Sequence, residues 1–162
     1  MGIDQVTISS SLADFRGVKR RLEVRLRTKT VVVIEDFAQH PYKISESVAA
    51  VKEVFGGYKV IVVLDPFASI LRSNEILPFF AGRFGLAANI FIRKIKVAPS
   101  KSKRVTGPDL VTAIGKKAEY VPVDDTLIAK IKHEVGDVPS VVLVCSSGGI
   151  EPFIQSLIRK LR

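Results

Sequence analysis

Val31-Val32-Val33-Ile34-Glu35-Asp36-Phe37-Ala38-Gln39-His40-Pro41 is the stretch whose reading decides the fold. Four β-branched apolar residues in a row read as a strand buried on both faces. The run ends abruptly in two carboxylates, an aromatic, a histidine and a proline, and a helical pattern follows. In an open α/β sheet, ligands sit in the crevice at the carboxyl ends of the strands. The stretch therefore reads as a buried strand that carries polar groups to the place where such a fold does its chemistry.

Working upstream, Arg21-Leu22-Glu23-Val24-Arg25-Leu26-Arg27 alternates strictly, which predicts a strand with one wet face. Thr28-Lys29-Thr30 is a short turn into Val31–Ile34, so the alternating strand pairs antiparallel at an edge, with outward arginines protecting it. Asp4 to Phe15 has helical spacing, with Val6, Leu12 and Phe15 as apolar positions and Gly17 as its stop.

Downstream, strands and helices alternate. Ile44, Val48, Val51 and Phe55 mark one helix face, stopped by Gly56-Gly57. Lys59–Leu64 is a second buried strand that ends in Asp65-Pro66, and Phe67 to Ser73 is loop. Asn74 to Phe84 is helical, with Pro78 inside its first turns. Ile90–Ile95 is a third strand and Ala98 to Thr106 a basic loop. Gly107-Pro108-Asp109 opens a helix to about Lys117. Tyr120–Val123 is a short strand, and Asp124 caps a helix with Leu127, Ile128, Ile131 and Val135 inward. Ser140–Cys145 is the last buried strand, and Ser146-Ser147-Gly148-Gly149 leads to a helix bearing Ile150, Phe153, Ile154, Leu157, Ile158 and Leu161. This order predicts an α/β, Rossmann-like three-layer sandwich: a mostly parallel sheet of about six strands with one antiparallel edge strand. No second domain and no internal repeat shows in the 162 residues.

The composition is globular, 47% hydrophobic and 25% charged, with no apolar run approaching the roughly 20 residues of a membrane span. The single cysteine, Cys145, excludes a disulfide framework and a cysteine-based zinc site. With no basic and apolar leader at Met1–Gln5, the expected location is the cytoplasm, with no membrane partner. The net charge of +9 points to an anionic partner: a nucleic acid, a nucleotide or an acidic metabolite.

Three strand-end loops hold most of the polar residues: Glu35–Pro41, Asp65–Ser73 and Ser146–Gly149. No G-x-x-x-x-G-K-[ST] occurs, and no G-x-G-x-x-G follows the first buried strand. The Ser146–Gly149 turn is either an anion-binding set of backbone N–H groups or a plain strand-to-helix turn. Glu35, Asp36 and Asp65 could gather a metal as in receiver domains, but no lysine ends the last strand, where that chemistry needs one. His40 is a candidate base or hydrogen-bond donor, and His133 reads as exposed. Cys145 reads as packing. Lys19, Arg20 and Arg21 after the Gly17 turn are either a phosphate clamp or a solvated face. Lys101, Lys103 and Arg104 form a second basic cluster. No aromatic residues interleave with these charges for base stacking, which disfavours nucleic acid.

Phe15-Arg16-Gly17-Val18-Lys19-Arg20-Arg21-Leu22-Glu23, then the apolar strand, then Glu35-Asp36-Phe37-Ala38-Gln39-His40-Pro41 resemble the start of the C-terminal domain of the Mur ligases. These are the ATP-dependent amide-bond ligases of peptidoglycan synthesis. The closest pattern is the branch acting on UDP-N-acetylmuramate, with F-x-G-x-x-R-R-x-E before D-[YF]-[AG]-H-H-P. Arg72-Ser73-Asn74 and Ser146-Ser147-Gly148-Gly149 resemble the R-S-N and S-N-G-G of the ligase that attaches the tripeptide L-alanyl-γ-D-glutamyl-meso-diaminopimelate. The L-alanine-adding ligase is the alternative. Gln39 stands where the family has a histidine, Ser147 where it has an asparagine, and Phe67–Leu71 lengthens the spacing to Arg72.

The resemblance implies roles by position. Arg21 would meet the ATP γ-phosphate as the catalytic arginine. Asp36 would lie near the ribose and Phe37 by the nucleotide. His40, Arg72, Ser73, Asn74, Ser147 and Gly148 would face the amino acid or peptide substrate. The family's reaction activates the muramyl carboxylate as an acyl phosphate that the amine attacks. ATP and Mg2+ would be held mainly by a central ATPase domain which, with a UDP-binding domain, is absent from this sequence. The expected partners are those domains, the acceptor and UDP-N-acetylmuramate, and the chain alone is expected to be inactive. A free-standing α/β binding module for an anionic ligand, and nucleic-acid binding through the N-terminal basic stretch, are the competing expectations.

Overall fold

The Val31–Ile34 run forms the buried strand its composition demands, and it extends through both carboxylates. Strand β2 spans Val31–Asp36, and all of its residues are buried. The structure is a computed structural model that describes residues 2–15, 17–66, 69–95 and 104–162. Lys101 and Lys103 of the second basic cluster, Arg16, Phe67 and most of the Ala98–Thr106 loop lie outside the described residues.

Strands β1 (Glu23–Arg27), β3 (Lys59–Asp65), β4 (Asn89–Ile92), β5 (Ala118–Tyr120) and β6 (Ser140–Ser146) join β2 in one sheet of order β1-β2-β6-β3-β4-β5. Only the β1–β2 pair is antiparallel. Each parallel step crosses over through helical chain, as right-handed β-to-β connections require. Helices α2 (Pro41–Val54) and α3 (Gly107–Ile114) and a 3-10 helix (Asn74–Phe80) cover one face, while α4 (Asp124–Val135) and α5 (Glu151–Leu161) cover the other. The expected fold class is the observed one.

Side chains alternate faces along a strand, and the core divides accordingly. Val31, Val33, Ile61, Val63, Phe91, Val142 and Val144 pack under α4 and α5. Val32, Ile34, Val62, Leu64, Leu143 and Cys145 pack under α2, α3 and the 3-10 helix. The same parity carries past the apolar runs. Glu35, Asp65, Arg93 and Ser146 fall on the α4/α5 side, and Asp36 falls on the α2 side. Neighbouring carboxylates at one strand end are thus delivered to opposite faces of the sheet.

Several sequence expectations are corrected. Arg25 is not an outward edge residue. A bulge between Val24 and Leu26 shifts the register and turns Arg25 inward, leaving Val24 47% exposed. The segment from Asn74 is a 3-10 helix that stops at Phe80, because Pro78 lacks the N–H that an α-helix needs there. Strand β4 stops at Ile92, which is the register partner of Leu64 in β3. Strand β5 lies at Ala118–Tyr120, ahead of Pro122, which cannot donate to a ladder. Asp124 does not cap α4, whose N-cap position is Val123 without a side-chain bond; the Asp124 carboxylate pairs with Arg93 instead. Helix α1 (Gln5–Ala13) is capped by Asp4, but Val6, Leu12 and Phe15 are exposed and no residue of the helix is buried. Gly107 is required for packing, since a Cβ there would lie 2.2 Å from the Tyr120 ring. No described helix is long and apolar enough to cross a membrane.

Candidate functional site

The loop before β1 is strained and then pinned. Arg20 and Leu22 have φ of 60° and 47°, a left-handed conformation that costs a residue with a Cβ roughly 1–2 kcal/mol. Three hydrogen bonds hold it: Arg20 N–H donates to Glu23 Oε2 (2.7 Å), Arg21 N–H to the Val18 carbonyl (3.1 Å), and Leu22 N–H to Asp36 Oδ2 (2.9 Å). The Arg20 side chain turns into the sheet end, donating from Nε to Glu35 Oε1 (2.8 Å) and from Nη2 to the Ser146 carbonyl (3.0 Å). Arg25 donates to the other Glu35 oxygen and reaches Glu151 at 2.7 and 2.8 Å. Glu35, at 1% exposure, is held by two guanidiniums, as a buried charge must be.

The pairing continues along the α4/α5 side. Ser146 Oγ donates to Asp65 Oδ2 (2.8 Å), and Arg93 donates to Asp65 Oδ1 (2.6 Å) and to both Asp124 oxygens (3.0 and 2.6 Å). The Arg93 guanidinium also lies 4.5 Å over the Phe153 ring. Glu35 and Asp65 are therefore salt-bridged, and no group of three or more potential metal ligands forms among the described residues. The three carboxylates of the receiver-type reading are not gathered: Glu35 and Asp65 lie on the α4/α5 side of the sheet and Asp36 on the α2 side.

Arg21 is the residue this clamp leaves over. It is exposed, with its guanidinium 4.8 Å from the Phe37 ring centroid, while that of Arg20 lies 5.0 Å from the same ring. Phe37 is itself 38% exposed. Of the expected phosphate clamp of Lys19, Arg20 and Arg21, then, Arg20 is committed to the fold, while Lys19 and Arg21 are exposed. Asp36 accepts from Leu22 N–H at Oδ2, and from Ala38 N–H (2.8 Å) and Ser47 Oγ (3.1 Å) at Oδ1. One of its roughly four lone-pair positions is left, on Oδ2. Asp36 lines a shallow depression with Arg21, Leu22, Glu46, Ser47 and Ala50.

The remaining sequence-predicted residues fall in two places. His40 is the N-cap of α2, its Nδ1 accepting from Tyr42 N–H, and its ring packs with Tyr42 and Phe79. Gln39 lines a small, mainly apolar cavity with Ile44, Asp65, Phe80 and Cys145. Arg72 is exposed, and Ser73 caps the 3-10 helix that Asn74 begins, accepting from Glu75 N–H. Ser147 and Gly148 follow β6; Gly148 lies by the Arg20 guanidinium, and its N–H donates to Ser146 Oγ (3.2 Å), so that group is already used. Cys145 is buried, and burial, then the nearby Asp36 charge, raise its thiol pKa far above normal, which fits packing rather than nucleophilic chemistry.

Sequence reasoning missed Arg93, the pairing of Arg20 and Arg25 with Glu35, and the group Tyr42, Phe79 and Arg83. Strand parity could have placed Glu35 and Asp36 on opposite faces. Nothing in the local sequence brings Phe79 to His40.

No protein-family model matches the chain. A UDP-N-acetylmuramate–L-alanine ligase from Cytophaga hutchinsonii is 28% identical over 157 residues, 96% of this chain. The chain spans 33% of that relative's length. A murein peptide ligase from Psychrobacter arcticus superimposes with a TM-score of 0.74 at 20% identity, over 96% of this chain and 32% of that one. The chain matches a C-terminal Mur ligase domain. A further Mur ligase, from Thermotoga maritima and solved with ADP, superimposes with a TM-score of 0.62 at 16% identity, over 96% of this chain and 36% of that one. In this chain, the two motif stretches meet in space. Leu22 N–H of the first is bonded to Asp36 of the second, and Arg21 lies on Phe37.

Proposed function

We propose that the chain is the C-terminal domain of an ATP-dependent ligase that joins the amine of an amino acid or peptide to UDP-N-acetylmuramate. The UDP-binding and central ATPase domains are supplied outside these residues. The observation that carries this reading is Arg21: an exposed guanidinium at the strand ends, resting on Phe37 and set by a loop whose Arg20, Arg21 and Leu22 N–H groups are hydrogen-bonded. Bound ATP supplies the phosphoryl group that activates the carboxylate. Arg21 neutralises charge on that group, and because its loop is pinned before reaction, little reorganisation is needed. The free lone pair of Asp36 can accept from a ribose hydroxyl. Phe37 and Arg21 suit a triphosphate. The carboxylates here do not suit Mg2+, which belongs to the ATPase domain. His40, at the mouth of the α2 side, faces the acceptor.

The tripeptide is the preferred acceptor on the Arg72-Ser73-Asn74 motif. L-Alanine is the second reading, favoured by the activity named for the Cytophaga relative. A fusion of this chain to the first two-thirds of that relative tests the proposal. It should release phosphate only when an amine acceptor is present, and Arg21→Ala should lower kcat by about 100-fold or more. Ligation by the 162-residue chain alone, or an undiminished Arg21→Ala fusion, would contradict the proposal.

A further inference from the structure

Arg83 lies in the turn after the 3-10 helix and is half-buried. Its guanidinium carbon sits 3.5 Å above the centroid of the Tyr42 ring. Tyr42 stacks on His40 (5.7 Å, 8° between planes), and Phe79 closes the group at 6.0 Å from His40 and 6.3 Å from Tyr42. Tyr42 and Phe79 remain 46% and 43% exposed. Two large aromatic rings left open beside a strand-end histidine form a wall, not a core.

Among the described residues the charge in that wall has no ion-pair partner, and Arg83 Nε is buried with no hydrogen-bond acceptor. Arg20, Arg25 and Arg93, by contrast, are each paired with a carboxylate. Stacking on Tyr42 occupies the face of the guanidinium and leaves its in-plane Nε–H without an acceptor among the described residues. An in-plane fork of donors matches a carboxylate, two oxygens in one plane. Flanking aromatic surface suits the stem that carries such a carboxylate better than it suits a free phosphate.

We propose that His40, Tyr42, Phe79 and Arg83 form a subsite for the acceptor, in which Arg83 binds an acceptor carboxylate while the rings hold the adjoining chain. This rests on the ligase reading for the identity of the acceptor, and it adds the group by which this domain recognises it. Arg83 is a specificity residue here. It gathers a carboxylate-bearing peptide and does not touch the reacting phosphoryl group.

The test is an NMR titration of the 162-residue chain, following the Arg83 Nε–H and the Tyr42 and Phe79 ring signals. The probes are L-alanyl-γ-D-glutamyl-meso-diaminopimelate, the same tripeptide with its carboxyls amidated, and AMP. The acid should shift all three residues, and the amide should bind about tenfold more weakly or worse. Arg83→Gln should lose the same factor, and Arg83→Lys should recover part of it. The amide comparison uses the unaltered chain, so it does not depend on how either variant folds. Equal binding of acid and amide, or unchanged affinity in a folded Arg83→Gln, overturns the carboxylate subsite and leaves the ligase reading standing. Shifts of these rings by AMP, with no response to the tripeptide, overturn both.

Discussion

The two faces of the sheet finish their strands differently. On the α4/α5 side, Glu35, Asp65, Ser146 and Arg93 bond to one another or to Arg20, Arg25 and Asp124, and each charge has an opposite charge beside it. On the α2 side, Asp36 keeps a lone pair, Arg21 rests on Phe37, and Arg83 rests on Tyr42 with no acceptor for its Nε among the described residues. The sequence offers both sides similar residues. What separates them is whether the fold itself supplies the partner. A paired strand-end charge is architecture, and an unpaired one is available to a ligand.

Four outcomes would break or sharpen that contrast. Arg93→Ala has the largest expected effect. It strands the Asp65 carboxylate, which is 10% exposed, and uncovers Phe153, so urea unfolding should show a loss of about 3–4 kcal/mol. A loss near zero would mean that the paired side does not hold the fold. Ser47→Ala removes one bond to Asp36 and should cost about 1 kcal/mol, because Leu22 and Ala38 still satisfy the carboxylate. Arg21→Ala, on the open side, should change stability by less than about 0.5 kcal/mol while removing function in the fusion. A large stability loss there would erase the distinction between the two faces.

The smallest effect concerns pH. The Arg25 hydrogen bond, then that of Gln155, hold the Glu151 carboxyl below its ordinary value of 4.5. A depressed carboxyl stabilises the fold above the unfolded value, and that contribution fades as pH falls through the folded one. Carbon-detected titration of Glu151 should give a midpoint under 4.5 that rises in Arg25→Gln. An unchanged midpoint would detach Glu151 from the network.

Much of this was legible in the sequence. The unbroken Val31–Ile34 run and the alternation of apolar strands with helical spacing define the sheet, and the turn Thr28–Thr30 foretells its antiparallel edge. The motif pair assigns Arg21 and Phe37 to one nucleotide by resemblance, and the contact between them is a finding of the structure. Arg25 was misread because strict alternation assumes an unbroken ladder, and a bulge shifts side chains by one place. Asp124 was misread because a cap is a local bond, and Arg93, far away in sequence, offers a stronger one. Arg83 was invisible because nothing near it in sequence marks it; only folding brings the 3-10 helix to α2.

The most direct measurement is the response of individual arginine Nε–H signals of this chain to tripolyphosphate. Arg20 and Arg93 donate from Nε to buried or paired carboxylates, so their signals should exchange slowly and stay in place. Arg21 should shift and saturate. Movement of Arg20 or Arg93 with Arg21 unmoved would contradict the claim that the fold keeps those arginines for itself and offers Arg21 to phosphate.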